Sequence, residues 1–477
     1  MKKFPTHILP FVFCLLPFLT AAQTVFVSEG LSIRNDYGYE LIGRLRDRIL
    51  LFRDKFDDFE VQAFDNQMRL SWTRGMDDLD RRGVQILSVI GSKNDFSIVH
   101  KVKRRGWTTL RVHKYDPGAN MIDSMTVKDY GDRVFNPPIL EIIRSEDKNC
   151  IVVFNTAERN KMEITCFRLD KMQVLWDKTV AVDEDFYESG LKAMALSNAG
   201  EFFLVNERNN RRSKVNEHEF IILSVDGRLD QVSRVPLGDF LTNDMRFIYD
   251  NRNRRLVAAG LYAGKNRDRA NGIFYLSLTP GDTAGRVLRY EAFDDKFMSI
   301  LRRKDVEEDK GIDDAEIMQL VLRQDGGVVA VAERRREIQR GTAVGRGFWR
   351  EGMRVVMDFY YDDLFIIAMN PNGSVHWKTV LHKKQYSQDD EGTFSSFFLA
   401  RSPDKLRILF NDEIKYENTC SEYVLSPGGD FDRNSLMNTL GQSLRLRFRD
   451  ALQISASECL VPSEFRNKLK LVLLKFQ

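Results

Sequence analysis

The sequence predicts an all-β fold built from repeated four-stranded antiparallel units, on three observations. The chain of 477 residues contains 33 Phe, 14 Tyr and 5 Trp but only 12 Pro, which favours strands over disorder. A pattern of an apolar stretch, a tight polar turn and a β-branched or aromatic run recurs roughly every fifty residues. The second run of each pattern is continuously apolar, as expected for a strand that is covered on both sides.

The N-terminus resembles a secretory signal. Lys2 and Lys3 precede a short apolar run at residues 8–19, and small residues lead up to Ala22. The run is too short to span a bilayer. We therefore predict a signal peptide over residues 1–22 and export to the periplasm or the extracellular space.

The charge of the mature chain is close to neutral. The whole chain has 72 basic and 69 acidic residues, and its formal net charge of +3 falls to +1 because the leader carries two lysines and no acidic residue. A neutral protein has no general attraction for nucleic acid or anionic lipid. We expect no nucleic-acid partner and no integral membrane segment in the mature chain.

Eight hairpins follow the recurring pattern, with turns rich in Asp, Asn, Gly, Ser and Pro. Their second strands are predicted to begin near Ile49, Phe96, Ile151, Phe202, Leu256, Val328, Leu406 and Leu469. Each of the first seven is followed by another hairpin, which completes a four-stranded unit. In three of these, Trp72, Trp176 and Trp377 fall late in the outer strand, where a large ring is expected to wedge between adjacent sheets.

Four-stranded units that cannot cover both of their faces alone stack around an axis, so the repeat predicts a β-propeller. Eight blades are expected in a single domain, residues 23–477, with seven blades and a C-terminal hairpin as the alternative. The final unit, residues 444–477, has only one hairpin. The N-terminal segment, residues 23–35, is predicted to complete it and to close the ring.

The repeat with its outer-strand tryptophans resembles propellers of the WD40 and quinoprotein type. The residues "TAAQ" and the C-terminal "SLRLRFRDALQISASECLVPSE" also resemble uncharacterised secreted proteins of Bacteroidetes. These resemblances imply the propeller fold and export, but no known activity.

Two insertions are predicted on one face of the ring, the face that carries the B–C and D–A connections when the strands of a blade are lettered A to D from the axis outward. Residues 293–311 place Phe293, Phe297 and Leu301 on one side of a helix that ends at Gly311 and packs across the channel mouth. The asymmetry of loop length marks this as the binding face.

The second insertion, residues 334–354, contains seven arginines and an aromatic pair. Guanidinium and aromatic groups together suit an anionic glycan or an acidic protein segment, and a mobile solvated loop is the alternative. The residues predicted to bind ligand here are Arg334, Arg335, Arg336, Phe348, Trp349 and Arg350.

The connection after the sixth blade is predicted to be a mouth loop that also contacts ligand. Its candidate residues are Lys383, Lys384, Gln385, Tyr386, Asp389, Asp390 and Glu391. Acidic runs at residues 362–363 and 412–413 raise the alternative of a calcium site, although none has the spacing of a self-contained calcium loop. No cofactor, metal ligand or catalytic residue is assigned.

The cysteines and histidines leave alternatives open. Cys150 and Cys166 flank one predicted connection, and Cys420 and Cys459 form a second possible disulfide; free buried thiols are the alternative for both pairs. His100 and His113 are placed on adjacent strands without an evident third metal ligand.

These features favour an exported, non-enzymatic binding or scaffold protein that recognises a protein or a carbohydrate through the insertion-bearing face. One alternative is an enzyme acting on an extracellular polymer, with Asp389 and Asp390 as acid and base. The other is a subunit of a cell-envelope assembly.

Overall fold

A computed structural model describes residues 23–132, 137–158, 161–181, 191–211, 217–303, 311–344, 352–414 and 419–476. Eight antiparallel sheets of four main strands follow one another along the chain and form a ring, so the prediction of an eight-bladed β-propeller is confirmed. The predicted signal peptide lies outside the described residues.

The N-terminal segment and blades 1 to 4 contain the first eighteen strands. Their strands are β1 (Thr24–Val27), β2 (Leu31–Ser32), β3 (Asp36–Leu45), β4 (Arg48–Lys55), β5 (Phe59–Phe64), β6 (Leu70–Gly75), β7 (Val84–Gly91), β8 (Phe96–Arg104), β9 (Trp107–Tyr115), β10 (Met121–Asp132), β11 (Glu141–Arg144), β12 (Cys150–Glu158), β13 (Lys161–Arg168), β14 (Gln173–Ala181), β15 (Leu191–Leu196), β16 (Phe202–Arg208), β17 (Glu219–Val225) and β18 (Asp230–Pro236). Blade 1 is β3–β6, and blades 2 to 4 each take the next four strands.

The remaining blades contain the extra elements. Their strands are β19 (Leu241–Asp250), β20 (Arg255–Ala263), β21 (Arg269–Ala270), β22 (Gly272–Thr279), β23 (Asp282–Ala292), β24 (Ile312–Asp313), β25 (Ala315–Leu322), β26 (Val328–Val344), β27 (Gly352–Met369), β28 (Val375–Leu381), β29 (Gln385–Gln388), β30 (Phe398–Arg401), β31 (Leu406–Asn411), β32 (Thr419–Leu425), β33 (Phe431–Asn438), β34 (Leu452–Ser455), β35 (Glu458–Phe465) and β36 (Lys468–Lys475). Blade 5 is β19, β20, β22 and β23; blade 6 is β25–β28; blade 7 is β30–β33. The short strands β21 and β24 pair with each other.

Blade 8 closes the ring as predicted, but with a different division of strands. Its order is β34, β35, β36 and β1, so the C-terminus supplies three strands and the N-terminus supplies the outermost one, with β2 also pairing with β36. The strand that begins near Leu469 is therefore the third of its blade, whereas the sequence pattern predicted the second. The pattern missed β34 because it is only four residues long and is interrupted by a bulge.

The predicted wedging of tryptophan rings between sheets is confirmed for Trp176 and Trp377. Trp176 Nε1 donates to the Gly200 carbonyl in the next blade at 2.9 Å, and Trp377 Nε1 donates to the Pro427 carbonyl of its next blade at 2.8 Å. Gly429 has φ +91°, and a Cβ there would lie 2.6 Å from the Trp377 ring. Only glycine fits a turn that is pressed this closely against the ring of the preceding blade.

One helix, α1 (Asp295–Arg302), lies in the first predicted insertion. Phe297, Met298 and Leu301 are buried with apolar residues of blades 5 and 6. The prediction of an amphipathic helix is confirmed, but its end is not: the helix stops at Arg303, which takes the left-handed conformation with φ 57°, well before Gly311. Its strongest contacts are with β28, the outermost strand of blade 6, so the helix packs on the side of the ring and not across the channel mouth.

Candidate functional site

The second insertion is a continuation of blade 6 and not a loop. The β26–β27 ladder runs on without interruption from the Arg335–Tyr361 pair to the Val344–Gly352 pair, and β29 pairs with β27 beside it. We call this three-stranded extension, residues 335–344, 352–361 and 385–388, the blade 6 arm. Sequence reasoning missed it because the arginines obscured an alternating strand pattern.

The two faces of the arm differ. The inner face presents Phe359, Tyr361, Gln385 and Ser387, all of which are buried. On the outer face, the Arg336 guanidinium lies 4.9 Å from the centroid of the Tyr360 ring, and the Tyr360 and Tyr386 centroids are 5.1 Å apart. The outer face therefore groups two aromatic rings and a guanidinium group; Arg336 and Tyr386 are exposed, and Tyr360 is partly buried.

A carboxylate fixes the side chains of this outer face. Asp358 accepts hydrogen bonds from Tyr386 Oη at 2.9 Å and from Gln388 Nε2 at 3.2 Å, and it forms an ion pair with Arg340. The hydrogen bond from Arg340 lowers the pKa of Asp358, and the bond to Asp358 raises the pKa of Tyr386. Side chains that are held before a ligand arrives lose less conformational entropy on binding.

A buried ion pair lies at the base of the arm. Lys383 Nζ is 2.7 Å from Glu333 Oε1, and both side chains are almost completely buried. The same ammonium group donates to the Tyr361 carbonyl and to Gln385 Oε1, each at 2.8 Å. Burial lowers the pKa of Lys383, and Glu333 opposes that shift. The ammonium group thus makes two hydrogen bonds in addition to the ion pair.

The same network connects blade 6 to blade 7. Ser396 Oγ donates to Glu333 Oε2 at 2.6 Å, and the Ser396 amide donates to Gln385 Oε1 at 2.7 Å. Gln385 Nε2 in turn donates to the Asn411 carbonyl at the end of β31, at 2.6 Å. We call Glu333, Lys383, Gln385, Ser396 and Asn411 the blade 6–7 junction.

The acidic residues of the connection have local partners. Asp389 Oδ1 accepts from the Met357 amide at 2.9 Å, and Asp390 Oδ1 accepts from the Gly392 amide at 3.0 Å. Asp363 accepts from Arg303 at 3.0 Å, and Asp412 accepts from Arg433 at 2.7 Å. Across the described residues, no group of three or more His, Cys, Asp or Glu side chains comes together in an arrangement that could hold a metal ion.

The predicted ligand-binding residues therefore occupy different environments. Lys384, Tyr386, Asp389, Glu391 and Arg336 are exposed, whereas Arg334, Arg335 and Asp390 are partly buried. Lys383 and Gln385 are buried in the blade 6–7 junction, so they support the face and do not present their polar groups to solvent. Phe348, Trp349 and Arg350 lie outside the described residues.

The four described cysteines are free and buried. Cys150 lies opposite Arg168 and Cys166 opposite Val152, which places the two thiols diagonally across β12 and β13. Cys420 and Cys459 belong to different blades. Neither predicted disulfide is formed, and the alternative of free buried thiols holds.

His100 and His113 lie on adjacent strands, as predicted, with ring centroids 4.5 Å apart. Burial, aided by the neighbouring His113, lowers the pKa of His100 to about 4. His113 Nδ1 lies 3.1 Å from Asp78 Oδ2, so that ring is already engaged with a carboxylate.

The mouth of the central channel is a second feature of the insertion-bearing face, and it was not assigned from the sequence. It holds a cavity of about 690 Å³ that is lined by residues of blades 1, 2, 3 and 8. Its lining includes Tyr37, Glu40, Arg144, Arg447 and Arg449. No sequence pattern points to this site, because its residues are distributed over several inner strands and one connection.

Comparison with known proteins finds similar solved structures but does not assign the chain to a family. No protein-family model matches the chain, and no curated protein matches it. Among solved structures, dipeptidyl peptidase 4 of Porphyromonas gingivalis is 10% identical with a TM-score of 0.45; the match covers 92% of this chain and 59% of that one.

Two further solved structures illustrate the range of likeness. The β-propeller domain of the Trilobed protease from Pyrococcus furiosus is 9% identical with a TM-score of 0.36, covering 87% of this chain and 99% of that domain. TolB from Acinetobacter baumannii is 12% identical with a TM-score of 0.26, covering 80% of this chain and 78% of that one.

Proposed function

We propose that the protein is an exported, non-enzymatic binding or scaffold protein that recognises a protein or carbohydrate ligand through the insertion-bearing face. The observation that carries the proposal is the outer face of the blade 6 arm, where Arg336, Tyr360 and Tyr386 form a surface held in place by Asp358. Tyrosine and arginine are the residue types that contribute most to protein interfaces, so a protein partner is the first expectation.

The two faces of the arm separate this surface from the buried residues that support it. Its inner face is buried, while Tyr386 on its outer face is 39% exposed. Maintaining exposed aromatic and guanidinium groups together is typical of interaction surfaces. The polymer-degrading and envelope-assembly alternatives stay predictions, as does the likeness to secreted Bacteroidetes proteins.

Export is part of the proposal and is supported by the leader-like composition of residues 1–22. Among the residues that the structure describes, no helix has the length and apolar character needed to cross a bilayer. The location of the protein is tested by fractionating cells that produce the full chain and sequencing the N-terminus of the exported form.

The binding surface is tested by retaining partners from a cell-envelope extract on the immobilised protein. We expect the double variant Arg336→Ala/Tyr386→Ala to lose partners that the unchanged protein retains, because it removes two side chains that are exposed on this surface. The matched control is Arg252→Ala/Phe431→Ala, which removes an exposed arginine from a turn and an exposed aromatic ring from the start of β33, both on the opposite face. Equal retention by both double variants would contradict the assignment of the arm.

A further inference from the structure

The channel mouth carries an aromatic pair that the ring does not cover. Tyr37 and Phe56 are 65% and 62% exposed, and their ring centroids are 5.8 Å apart with an interplanar angle of 34°. Arg81 holds the pair: its guanidinium lies 4.8 Å from the Tyr37 centroid, and its Nε donates to the Phe56 carbonyl at 3.2 Å. Two exposed rings fixed side by side form a platform that is ready for a flat apolar surface.

Tyr37 also lines the mouth cavity, so the platform and the cavity belong to one site. The cavity of about 690 Å³ lies within the usual range for small-ligand sites, roughly 300–1,000 Å³. Strand β3 forms one wall, and the segment from Arg447 to Leu452 forms another. A ligand that rests on the two rings would therefore extend directly into the channel.

Most charged groups around the cavity already have partners. Arg447 bonds to Asp450 at 2.5 Å and also pairs with Glu464, which accepts the Tyr39 hydroxyl. Asp36 belongs to another ion pair, with Arg53 at 2.7 Å. These groups form the wall of the site, and because they are already bonded to one another they have few hydrogen-bonding positions left for a ligand.

The uncommitted groups are mainly cationic. Arg144 and Arg449 are exposed and line the cavity, and neither has a hydrogen bond or an ion pair within the described part of the chain. The remaining acid is Glu40, which accepts the Val89 amide at 3.0 Å; burial raises its pKa, and the positive charge of the nearby Arg144 opposes that shift. The site thus offers two guanidinium groups beside an aromatic platform.

We propose that the channel mouth binds an acidic oligosaccharide, with a pyranose ring stacked on Tyr37 and Phe56 and sugar carboxylates paired with Arg449 and Arg144. The negative face of an aromatic ring attracts the C–H groups of a sugar. The guanidinium groups match carboxylates in a planar, two-pronged geometry. A carbohydrate explains the aromatic platform, whereas an acidic peptide would need only the arginines.

The proposal is tested by titration calorimetry with the full chain. The probes are oligogalacturonate, its methyl-esterified neutral form and poly-glutamate. We expect oligogalacturonate to bind and the ester to bind at least tenfold more weakly, because esterification removes the charge-assisted hydrogen bonds. Arg449→Ala and Tyr37→Ala are each expected to weaken oligogalacturonate binding about tenfold or more.

Arg252→Ala is the matched control, since Arg252 is exposed on a turn of the opposite face. It should leave the affinity unchanged. No binding of oligogalacturonate, or binding that survives both Arg449→Ala and Tyr37→Ala, would overturn the proposal. Poly-glutamate binding of equal strength that is insensitive to Tyr37→Ala would also overturn it, in favour of an acidic peptide.

The site does not depend on the proposed function of the arm. Arm variants that lose a partner while oligogalacturonate affinity stays constant would support two separate sites on one face. Loss of oligogalacturonate binding in the Arg336→Ala/Tyr386→Ala variant would instead contradict the placement of the oligosaccharide at the mouth.

Discussion

Two connections between neighbouring parts of the ring use opposite physical chemistry. At the blade 8 seam, which we define as β1 and β2 along β36, the N-terminal segment is held by a strand ladder and by apolar packing. Val25 and Val27 pack against the core shared by blades 7 and 8, and Phe26 packs against the core shared by blades 8 and 1. The seam therefore relies on backbone hydrogen bonds and apolar contacts, together with the neutral hydroxyl of Ser28, which accepts the Leu471 amide.

The blade 6–7 junction uses charges and side-chain hydrogen bonds. Glu333 and Lys383 are removed from water and bonded to Gln385 and Ser396, which connect them to the next blade. A buried ion pair contributes little net stability compared with an apolar pair of the same shape, but losing one partner is costly. The seam therefore tolerates small changes, and the junction depends on every member.

Removing one charge from the junction is expected to lower the free energy of unfolding more than any other change considered. Lys383→Met leaves the Glu333 carboxylate buried without its cation, and we expect a decrease of about 3–5 kcal/mol in the free energy of unfolding. Urea denaturation followed by tryptophan fluorescence measures it. The double variant Lys383→Met/Glu333→Leu removes both charges and should recover most of the loss.

If the single variant unfolds at the same urea concentration as the unchanged protein, the ion pair is not what holds the junction. A loss in the double variant as large as in the single variant would mean that hydrogen bonding and not charge pairing is the main contribution. Either result would weaken the contrast between the two connections.

Removing the N-terminal strands is expected to have the second largest effect on stability. Deleting residues 23–32 from the mature chain exposes the edge of β36 and takes away several half-buried apolar side chains. We expect a loss of about 3 kcal/mol, because the apolar contacts are partly offset by the entropy regained by the freed segment. Thermal unfolding measures it, and light scattering should show association through the open edge.

A truncated protein of unchanged stability would show that the seam does not need its outermost strand. The matched control is Val25→Thr/Val27→Thr, which keeps the ladder but reduces apolar packing. Its loss should be smaller than that of the deletion.

The seam could be predicted from the sequence, while the junction could not. The repeat shows that the final unit, residues 444–477, has only one hairpin. The N-terminal segment, residues 23–35, belongs to no other unit and is therefore expected to complete it. The Glu333–Lys383 pair joins residues from two different segments, and no periodicity relates them. The same holds for the channel mouth, where Tyr37, Arg144 and Arg449 meet only after the ring has closed.

The arm shows an intermediate case. The sequence identified residues 334–354 and 383–391 as unusual and placed them on the correct face, but both were predicted to be loops. In the structure β26 and β27 pair along the arm, and β29 adds a third strand that the hairpin pattern does not include. Local composition therefore locates an insertion more readily than it describes its structure.

The smallest expected effect on the free energy of unfolding comes from removing a single serine hydroxyl, either at the junction or at the seam. Ser396→Ala removes a hydroxyl that donates to the buried Glu333 carboxylate at 2.6 Å, and Ser28→Ala removes one that accepts the Leu471 amide at 2.9 Å. Hydrogen bonds to charged groups contribute about 1.5–3 kcal/mol and neutral ones about 0.5–1.5 kcal/mol. We therefore expect Ser396→Ala to lower the free energy of unfolding about twice as much as Ser28→Ala, measured by urea denaturation in one buffer. Equal losses would mean that the Glu333 carboxylate does not carry its charge into the junction, and the distinction between an ionic and an apolar connection would fail.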